Sequence, residues 1–323
     1  VQCQLRPLVS TKVVFRSSYT RLVWDSYSVG RCAGRAGASA LINLTNYGPL
    51  QPPLPSILYQ RNALYFDPTW VRRMHYQGQL RAAARRQLAF AQMRGSALTV
   101  VPSNAMAAYL RSWRGYPTGA RVEVVPHAVD ARRFTMPNVS RGHSPLRIVS
   151  LGHAAPHKGQ ALLVDVMLEL ERLGVDAILF ASVVDWDNEA YVADIRTRIA
   201  NAKLDAKVHL VGRVDAALFL ETADVLIFPS YTESFGFPII EAMACGVPIV
   251  ATYTPATTEI LGHLGWYFPV GDASAAAARV CEVLATKPDE MDVRLSNARV
   301  LASAYTWRRN AEAIATLVED VSR

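Results

Sequence analysis

Phe228-Pro-Ser-Tyr-Thr-Glu-Ser-Phe-Gly-Phe-Pro-Ile-Ile-Glu-Ala-Met-Ala-Cys-Gly-Val-Pro-Ile-Val-Ala251 reads as a strand end, a loop, a short helix, a turn and a second strand. Asp224 to Phe228 is an apolar run with β-branched residues, suited to a buried parallel strand. Pro229 and Ser230 end it, and Gly236 and Pro238 shape a tight loop. Pro238 is welcome at a helix start, where its missing N–H costs nothing. Ile239 to Cys245 is the expected helix, stopped by Gly246 and Pro248, and Val247 to Ala251 the next strand. Glu233 then stands before the helix N-terminus and Glu241 in its first turn, seven residues apart in between. The free N–H groups and partial positive charge of a helix N-terminus suit an anion. Gly236 lets a ligand approach the backbone closely. Two carboxylates suit hydroxyls, because each can accept two hydrogen bonds from a ribose or pyranose diol. The local pattern therefore fits a nucleoside diphosphate joined to a sugar. The plainer alternative makes Glu233 a surface loop acid and Glu241 an acid favoured by a helix start.

Working outward, the second half alternates strands and helices, each closed by Gly or Pro. Strands are expected at Leu146–Leu151, Ala177–Ala181 and Val208–Val211, and helices at Gln160–Leu173, Glu189–Ala202, Asp215–Thr222, 273–285 and 289–303, with a last helix near Thr306-Trp307. The loop Gly152–Gly159 carries His153, His157 and Lys158, and Gly212-Arg213 follows another strand. The first half is less regular. Lys12–Phe15 is a possible short strand, and Thr20–Ala33 a helix burying Leu22, Trp24, Tyr27 and Val29. Strands are expected at Ala38–Leu44, Ser56–Gln60, Ala97–Val101 and Arg121–Val125, and a helix at Ala105–Trp113. Residues 131–145 are polar and broken by Pro137, Gly142 and Pro145, the best candidate linker. This order predicts an α/β protein with parallel sheets. The right-handed crossover rule brings the strand C-termini to one edge, so Lys158, Arg213, Glu233 and Glu241 should converge on one crevice.

With 323 residues and 51% hydrophobic content, the chain suits two domains with substantial cores. Charge is uneven: residues 1–141 hold 19 Lys+Arg against 4 Asp+Glu, and residues 142–323 hold 15 against 23. Two domains with different partners follow from that asymmetry. Arg72, Arg73, Arg81, Arg85, Arg86 and Arg94 alternate with apolar residues over Thr69–Met93, a basic helix or helix pair with Gly78 as its weak point. That helix is either a solvated face or a dock for an anionic membrane surface or acceptor. No nucleic-acid module accompanies the charge, so no nucleic acid is expected. Cys3, Cys32, Cys245 and Cys281 lack metal or redox spacing, which predicts a reducing compartment. No apolar run approaches the roughly 20 residues that span a bilayer, and no secretory signal is visible.

Taken together, these residues resemble the retaining GT-B glycosyltransferases of family 4, the glycosyl transferases group 1. The element Glu233-x7-Glu241 is the most specific part of the resemblance, joined by Gly152-x5-Lys158-Gly159, Gly212-Arg213 and Thr258-Glu259 in that order. Val125-Pro-His-Ala-Val-Asp130 is similar to the family's interdomain segment, and Tyr305-Thr-Trp307 to the start of a final helix that crosses back to the first domain. The resemblance covers the second half and, more weakly, residues 38–135. It implies two Rossmann-like domains whose parallel sheets face a central cleft. These would be an acceptor-side domain over 1–140, a donor-binding domain over 141–305 and the returning helix over 306–323.

The resemblance also implies site roles. Lys158 would neutralise the donor diphosphate, beside Gly152 and His153. The backbone of Phe235, Gly236 and Phe237 would hold the same phosphates, with Ser234 and Pro238 also lining the donor. Glu241 would accept the ribose hydroxyls, Glu233 would contact the transferred sugar, and Gly212 and Arg213 would lie by the base. Arg61, Asn62 and His127 would stand on the acceptor side. No metal and no cofactor beyond the nucleotide sugar would be needed, and the protein would act in polysaccharide or cell-envelope synthesis, in the cytoplasm at the inner face of the membrane. The sequence departs from the family at His153, where Arg is usual. It departs again at Gln60-Arg61-Asn62, where the family's first-domain His is absent, and at the start, where the opening strand and Gly-rich loop are missing. The first domain is therefore expected to be shortened at its N-terminus. The alternative is a non-catalytic nucleotide-sugar-binding or partner subunit with a degraded first domain. A phosphorylase or epimerase fits less well, because no cofactor lysine context is present and the chain is short.

Overall fold

The structure, a computed structural model, describes residues 18–130, 132–134, 143–183 and 188–323. They fall into two compact units, Val1–Val125 with Ala311–Arg323 and Pro126–Asn310. The possible strand Lys12–Phe15 lies outside the described residues.

The first unit runs α1 (Ser18–Tyr27), α2 (Val29–Arg35), β1 (Leu41–Asn43), β2 (Ser56–Tyr59), α3 (Pro68–Arg73), α4 (Tyr76–Gly95), β3 (Leu98–Val101), α5 (Asn104–Arg111) and β4 (Val122–Val124). Its strands form a four-stranded parallel sheet in the order β1-β2-β3-β4. The single helix expected over Thr20–Ala33 is broken at Ser28, and Tyr27, expected inside, is 55% exposed. The basic stretch begins earlier than expected, because Asp67 accepts from the Thr69 N–H at 2.8 Å and Pro68 opens the helix. It breaks at Met74-His75 rather than at Gly78. The His75 ring caps the new helix by accepting from the Gly78 N–H at 3.2 Å, so Gly78 sits inside the first turn of α4.

The second unit runs β5 (Leu146–Leu151), α6 (Leu162–Arg172), β6 (Ala177–Ser182), α7 (Glu189–Asn201), β7 (Val208–Val211), α8 (Ala216–Glu221), β8 (Val225–Phe228), α9 (Phe237–Ala244), β9 (Ile249–Thr252), α10 (Pro255–Leu261), β10 (Trp266–Phe268), α11 (Ala273–Ala285) and α12 (Pro288–Ser303). The six strands are all parallel, in the order β10-β9-β8-β5-β6-β7. Counted from β5, this is the doubly wound order 3-2-1-4-5-6, which reverses direction between β5 and β8. β8 explains why an unbroken apolar run was needed. Val225 and Ile227 enter one core with α6 and α11, while Leu226 and Phe228 enter another with α9 and α12. Full burial of each such side chain contributes roughly 1.5–3 kcal/mol. Two elements, α10 and β10, were not foreseen. Thr254 and Thr257 cap α10 reciprocally, with Pro255 in its first turn.

The expected linker over 131–145 lies partly outside the described residues. The described part is tied into the second unit instead: Phe134 is buried beside Val129, and Arg133 reaches Asp215 at 2.6 Å. The division therefore falls at Val125–Pro126, ahead of the expected 140–141. The last helix, α13 (Trp307–Ser322), lays Ala313, Ile314, Leu317, Val318 and Val321 against Ile57, Tyr59, Leu98, Val100 and Val125 of the first unit. That stripe has helical spacing.

Candidate donor site of the second unit

In an open doubly wound sheet, ligands bind outside the strand C-termini where the strand order reverses. Here that point lies between β5 and β8. The loop after β5 is Gly152–Gly159, and the loop after β8 runs from Pro229 to Gly236. The two loops are held together by their backbones. The Tyr231 N–H donates to the His157 carbonyl at 2.8 Å. Gly159 has φ +71°, and a Cβ there would lie 2.2 Å from the Pro229 carbonyl oxygen. From the end of β9, the Thr252 hydroxyl donates to the Ser230 carbonyl at 2.6 Å. Gly159→Ala is therefore expected to destabilise the second unit by at least about 2 kcal/mol, from left-handed strain plus the clash. A melting temperature equal to that of the wild type would contradict this close approach.

This frame brings two expected residues into contact. Lys158 Nζ donates to Glu233 Oε1 at 2.6 Å, with side chains only 15% and 10% exposed. Lys158 ends a 3-10 turn over Pro156–Lys158, and Gly159 supplies the left-handed residue that closes it. Glu233 lies on the loop that leads into α9. Gly236, at φ +99°, is the N-cap of that helix. Phe235 is 1% exposed and belongs to the core, so only its backbone faces the loop, whereas Phe237 is 39% exposed. The helix opens at Phe237, with Pro238 in its first turn, so Glu241 begins the second turn rather than sitting in the first. At the far end, Val247 N–H donates to Ala242 O and Gly246 N–H to Met243 O, a Schellman stop with Gly246 at φ +61°.

Burial pushes the Glu241 carboxyl up to about 7, against the opposing pull of Arg133. Among the described residues its carboxylate accepts no hydrogen bond, and the Arg133 guanidinium is bonded to Asp215 instead. A half-buried carboxylate held without donors is suited to a ligand that brings hydroxyls of its own. His157 carries the opposite consequence of burial. Its imidazole is pushed down to about 3, by desolvation first and then by Lys158 and His153, so it is neutral and adds no charge to the loop. His153 is exposed and lies 5.5 Å from the His157 ring, and its carbonyl accepts from Gln160 at 2.7 Å. Gly212 and Arg213 are exposed beyond β7, two strands from β5, which places them roughly 10 Å along the sheet edge. The Gly212 carbonyl accepts from Ser182 at 3.2 Å.

His127, expected on the acceptor side, belongs to the second unit. Its ring stacks on Phe237 at 4.8 Å and meets Phe235 edge-on at 5.3 Å, so it buttresses the loop into α9. The sequence clue is its place after a strand expected over Arg121–Val125, which says nothing of the aromatic pair 110 residues on. Arg61 and Asn62 are in the first unit. Asn62 caps the 3-10 turn Ala63–Tyr65, accepting from Leu64 at 2.9 Å, which is a local structural role. Arg61 lines a cavity of that unit. Of the basic residues expected to form one exposed face, Arg86 is buried, stacked 3.4 Å over Trp113 and bonded to the Tyr65 carbonyl at 2.7 Å. Arg94 donates to Gly115 O at 2.9 Å and, like Arg72, Arg73, Arg81 and Arg85, is exposed.

Residues 132–300 match the family described as Glycosyl transferases group 1. The chain is 28% identical over 187 residues to the amylovoran biosynthesis glycosyltransferase AmsK of Erwinia amylovora, covering 54% of this chain and 45% of that one. It spans about half the length of the curated relatives it matches. Among solved structures, it is similar to the sucrose-phosphate synthase of Thermosynechococcus elongatus, with a TM-score of 0.78, 20% identity, and 95% and 80% of the two chains covered. It is also similar to Anabaena HepE in complex with UDP and glucose, with a TM-score of 0.65, 19% identity, and 82% and 71% covered.

Proposed function

This chain belongs to the glycosyl transferases group 1 family and has the GT-B fold, and we propose that it is a retaining, metal-independent glycosyltransferase moving a hexose-type sugar from a nucleoside-diphosphate sugar to a hydroxyl of a glycan or lipid-linked acceptor. The observation that carries this reading is the 2.6 Å contact of Lys158 with Glu233 at the sheet reversal, beside the Gly236-capped start of α9. One cation, a set of backbone amides and two acids near that reversal support a reading in which they hold a diphosphate and its two sugars. The solved relative bound to UDP and glucose supports a donor of this class.

Lys158 and the backbone N–H groups from Ser234 to Phe237 stabilise the departing diphosphate, the charge that develops as the reaction proceeds. Pro238 contributes position only, since it has no N–H. The bond between the anomeric carbon and the diphosphate oxygen breaks, and the acceptor hydroxyl oxygen bonds to that carbon on the same face. Its proton passes to the leaving phosphate oxygen. Glu233 orients the sugar, Glu241 accepts the ribose hydroxyls, and Gly152, His153, Gly212 and Arg213 flank the donor. The positive charge of Lys158 and the helix start does the work a metal ion does elsewhere.

The enzyme would act in cell-envelope or exopolysaccharide synthesis on the cytoplasmic side of a membrane, with Arg72 and Arg73 touching the anionic surface. The name of the amylovoran relative supports the pathway class. No described helix is long and apolar enough to cross a membrane. The test incubates the chain with UDP-, GDP-, ADP- and TDP-hexoses and a hydroxyl acceptor, and reads nucleoside diphosphate release and the anomeric coupling of the product by NMR. Release with the donor's own anomeric configuration in the product is the expected result. Inverted configuration would overturn the retaining assignment, and no release with any donor would overturn the activity.

A further inference from the structure

The first unit contains a cavity of about 660 Å³ that the donor site does not use. Its size lies within the range of small-molecule sites. The loops after β1 and β2, at the C-terminal edge of the parallel sheet, supply Asn46, Tyr47 and Arg61, while α1 supplies Arg21 and Asp25 and α4 supplies Arg81 and Arg85. Four arginines thus face one aspartate. Asp25 is itself engaged, 3.7 Å from Arg21, and burial pushes its carboxyl up. The cavity carries a surplus of positive charge that its own acid does not balance.

Arg85 is held in place by its own contacts. The Arg85 guanidinium lies 5.0 Å over the Tyr65 ring, donates to the Tyr65 hydroxyl and is bonded to Tyr47. The backbone of Arg61 is fixed at the cavity edge through Asn46, a non-glycine residue at φ +68°. The Asn46 side-chain oxygen accepts from the Arg61 N–H at 2.8 Å, and its carbonyl accepts from Gln60 at 2.6 Å. A guanidinium fork matches a phosphate or carboxylate in two parallel hydrogen bonds, and ordering that of Arg85 in advance lowers the cost of binding. The ring of Tyr47 and the side chains of Leu22 and Leu88 give the same cavity apolar walls.

We infer that this cavity binds an anionic glycoside, a sugar carrying a phosphate or a carboxylate, with Arg61, Arg81 and Arg85 on the anion. The inference deepens the proposed function and rests on it only in taking this glycoside as the acceptor. Binding is read by isothermal titration of the full chain with glucose 6-phosphate, glucuronate, glucose and inorganic phosphate, and repeated with the variant Arg61→Gln/Arg81→Gln. Both side chains are exposed, so the variant keeps the fold. The expected result is binding of glucose 6-phosphate or glucuronate, whichever anion the cavity accepts, and much weaker binding of glucose. The double variant should weaken that binding by at least about tenfold, as loss of charge-assisted hydrogen bonds requires, while nucleoside diphosphate binding stays unchanged. Equal binding of glucose, or of inorganic phosphate, would overturn the inference, as would full affinity in the variant. A chain that binds the sugar phosphate through these arginines but no nucleotide sugar would overturn the proposed function and leave the cavity assignment standing.

Discussion

Lys158→Ala lowers the rate of sugar transfer by about 10²–10³-fold, the range found when one preorganised donor to a developing anion is removed. The loss falls mainly on kcat, because the charge that Lys158 meets grows as the diphosphate leaves. The substitution also has a structural consequence. Glu233 is 9% exposed and is bonded to Lys158 at 2.6 Å, so alanine leaves a buried carboxylate without its cation. Breaking a buried pair from one side costs about 3–5 kcal/mol. The two effects separate in the double variant Lys158→Ala/Glu233→Gln, which removes the orphaned charge. Its melting temperature should recover most of the loss, while transfer stays as low as in Lys158→Ala or lower. A double variant that regained activity along with stability would mean that Lys158 only supports the fold.

Glu241→Gln weakens nucleotide binding by about 10–100-fold at pH near 8, the worth of hydrogen bonds made to a charged acceptor. The pH dependence is as diagnostic as the magnitude. The folded-state value of about 7 lies above the ordinary glutamate value of 4.5, because burial disfavours the charge. The stabilising contribution of the bound proton is therefore fully present below 4.5 and is lost as pH rises through about 7. Without nucleotide, the wild type should lose stability relative to Glu241→Gln across that interval. Ribose hydroxyls reverse the preference, since they donate to the carboxylate and favour its charged form. Donor affinity in the wild type should accordingly rise between about pH 6 and pH 8 with release of a proton, while Glu241→Gln stays flat. Melting curves and titrations in buffers of different ionisation enthalpy measure both. A wild-type affinity that did not change over this interval would remove Glu241 from the site.

Much of the second unit was legible in its sequence because both signals agreed there. Leu146–Leu151 and Val208–Val211 are short runs rich in β-branched and other apolar residues, closed by Gly152 and Gly212, and they are strands over those residues. Convergence of Lys158 with Glu233 followed from strand order alone, since loops after neighbouring parallel strands must meet at one edge. What escaped were features set by tertiary contacts. β10 has three residues, too few for a periodicity, and holds its place by pairing with β9. The polar composition of 131–145 suggested a linker, yet the single side chain of Phe134 binds that segment into a core. The helix break at Met74-His75 rests on one imidazole accepting one N–H, a cap that composition does not show. The arginine cavity is assembled from residues 21 to 88 across two helices and two loops, so no local spacing announces it. In the sequence Arg81, Arg85, Arg86 and Arg94 share one basic stretch; in the fold they divide, with Arg86 buried and bonded inward, Arg94 exposed and bonded to Gly115 O, and Arg81 and Arg85 on the cavity.

The proposed function requires the β5 and β8 loops of the second unit to hold a nucleoside diphosphate. Isothermal titration of the chain with UDP, GDP, ADP and TDP tests it most directly, with Lys158→Ala, Glu241→Gln and Arg81→Gln measured alongside. At least one of these nucleotides is expected to bind with a single site per chain. Its affinity should fall by about tenfold or more in each of the first two variants and stay unchanged in Arg81→Gln. Binding of none of the four, or binding that neither Lys158→Ala nor Glu241→Gln weakens, would contradict it.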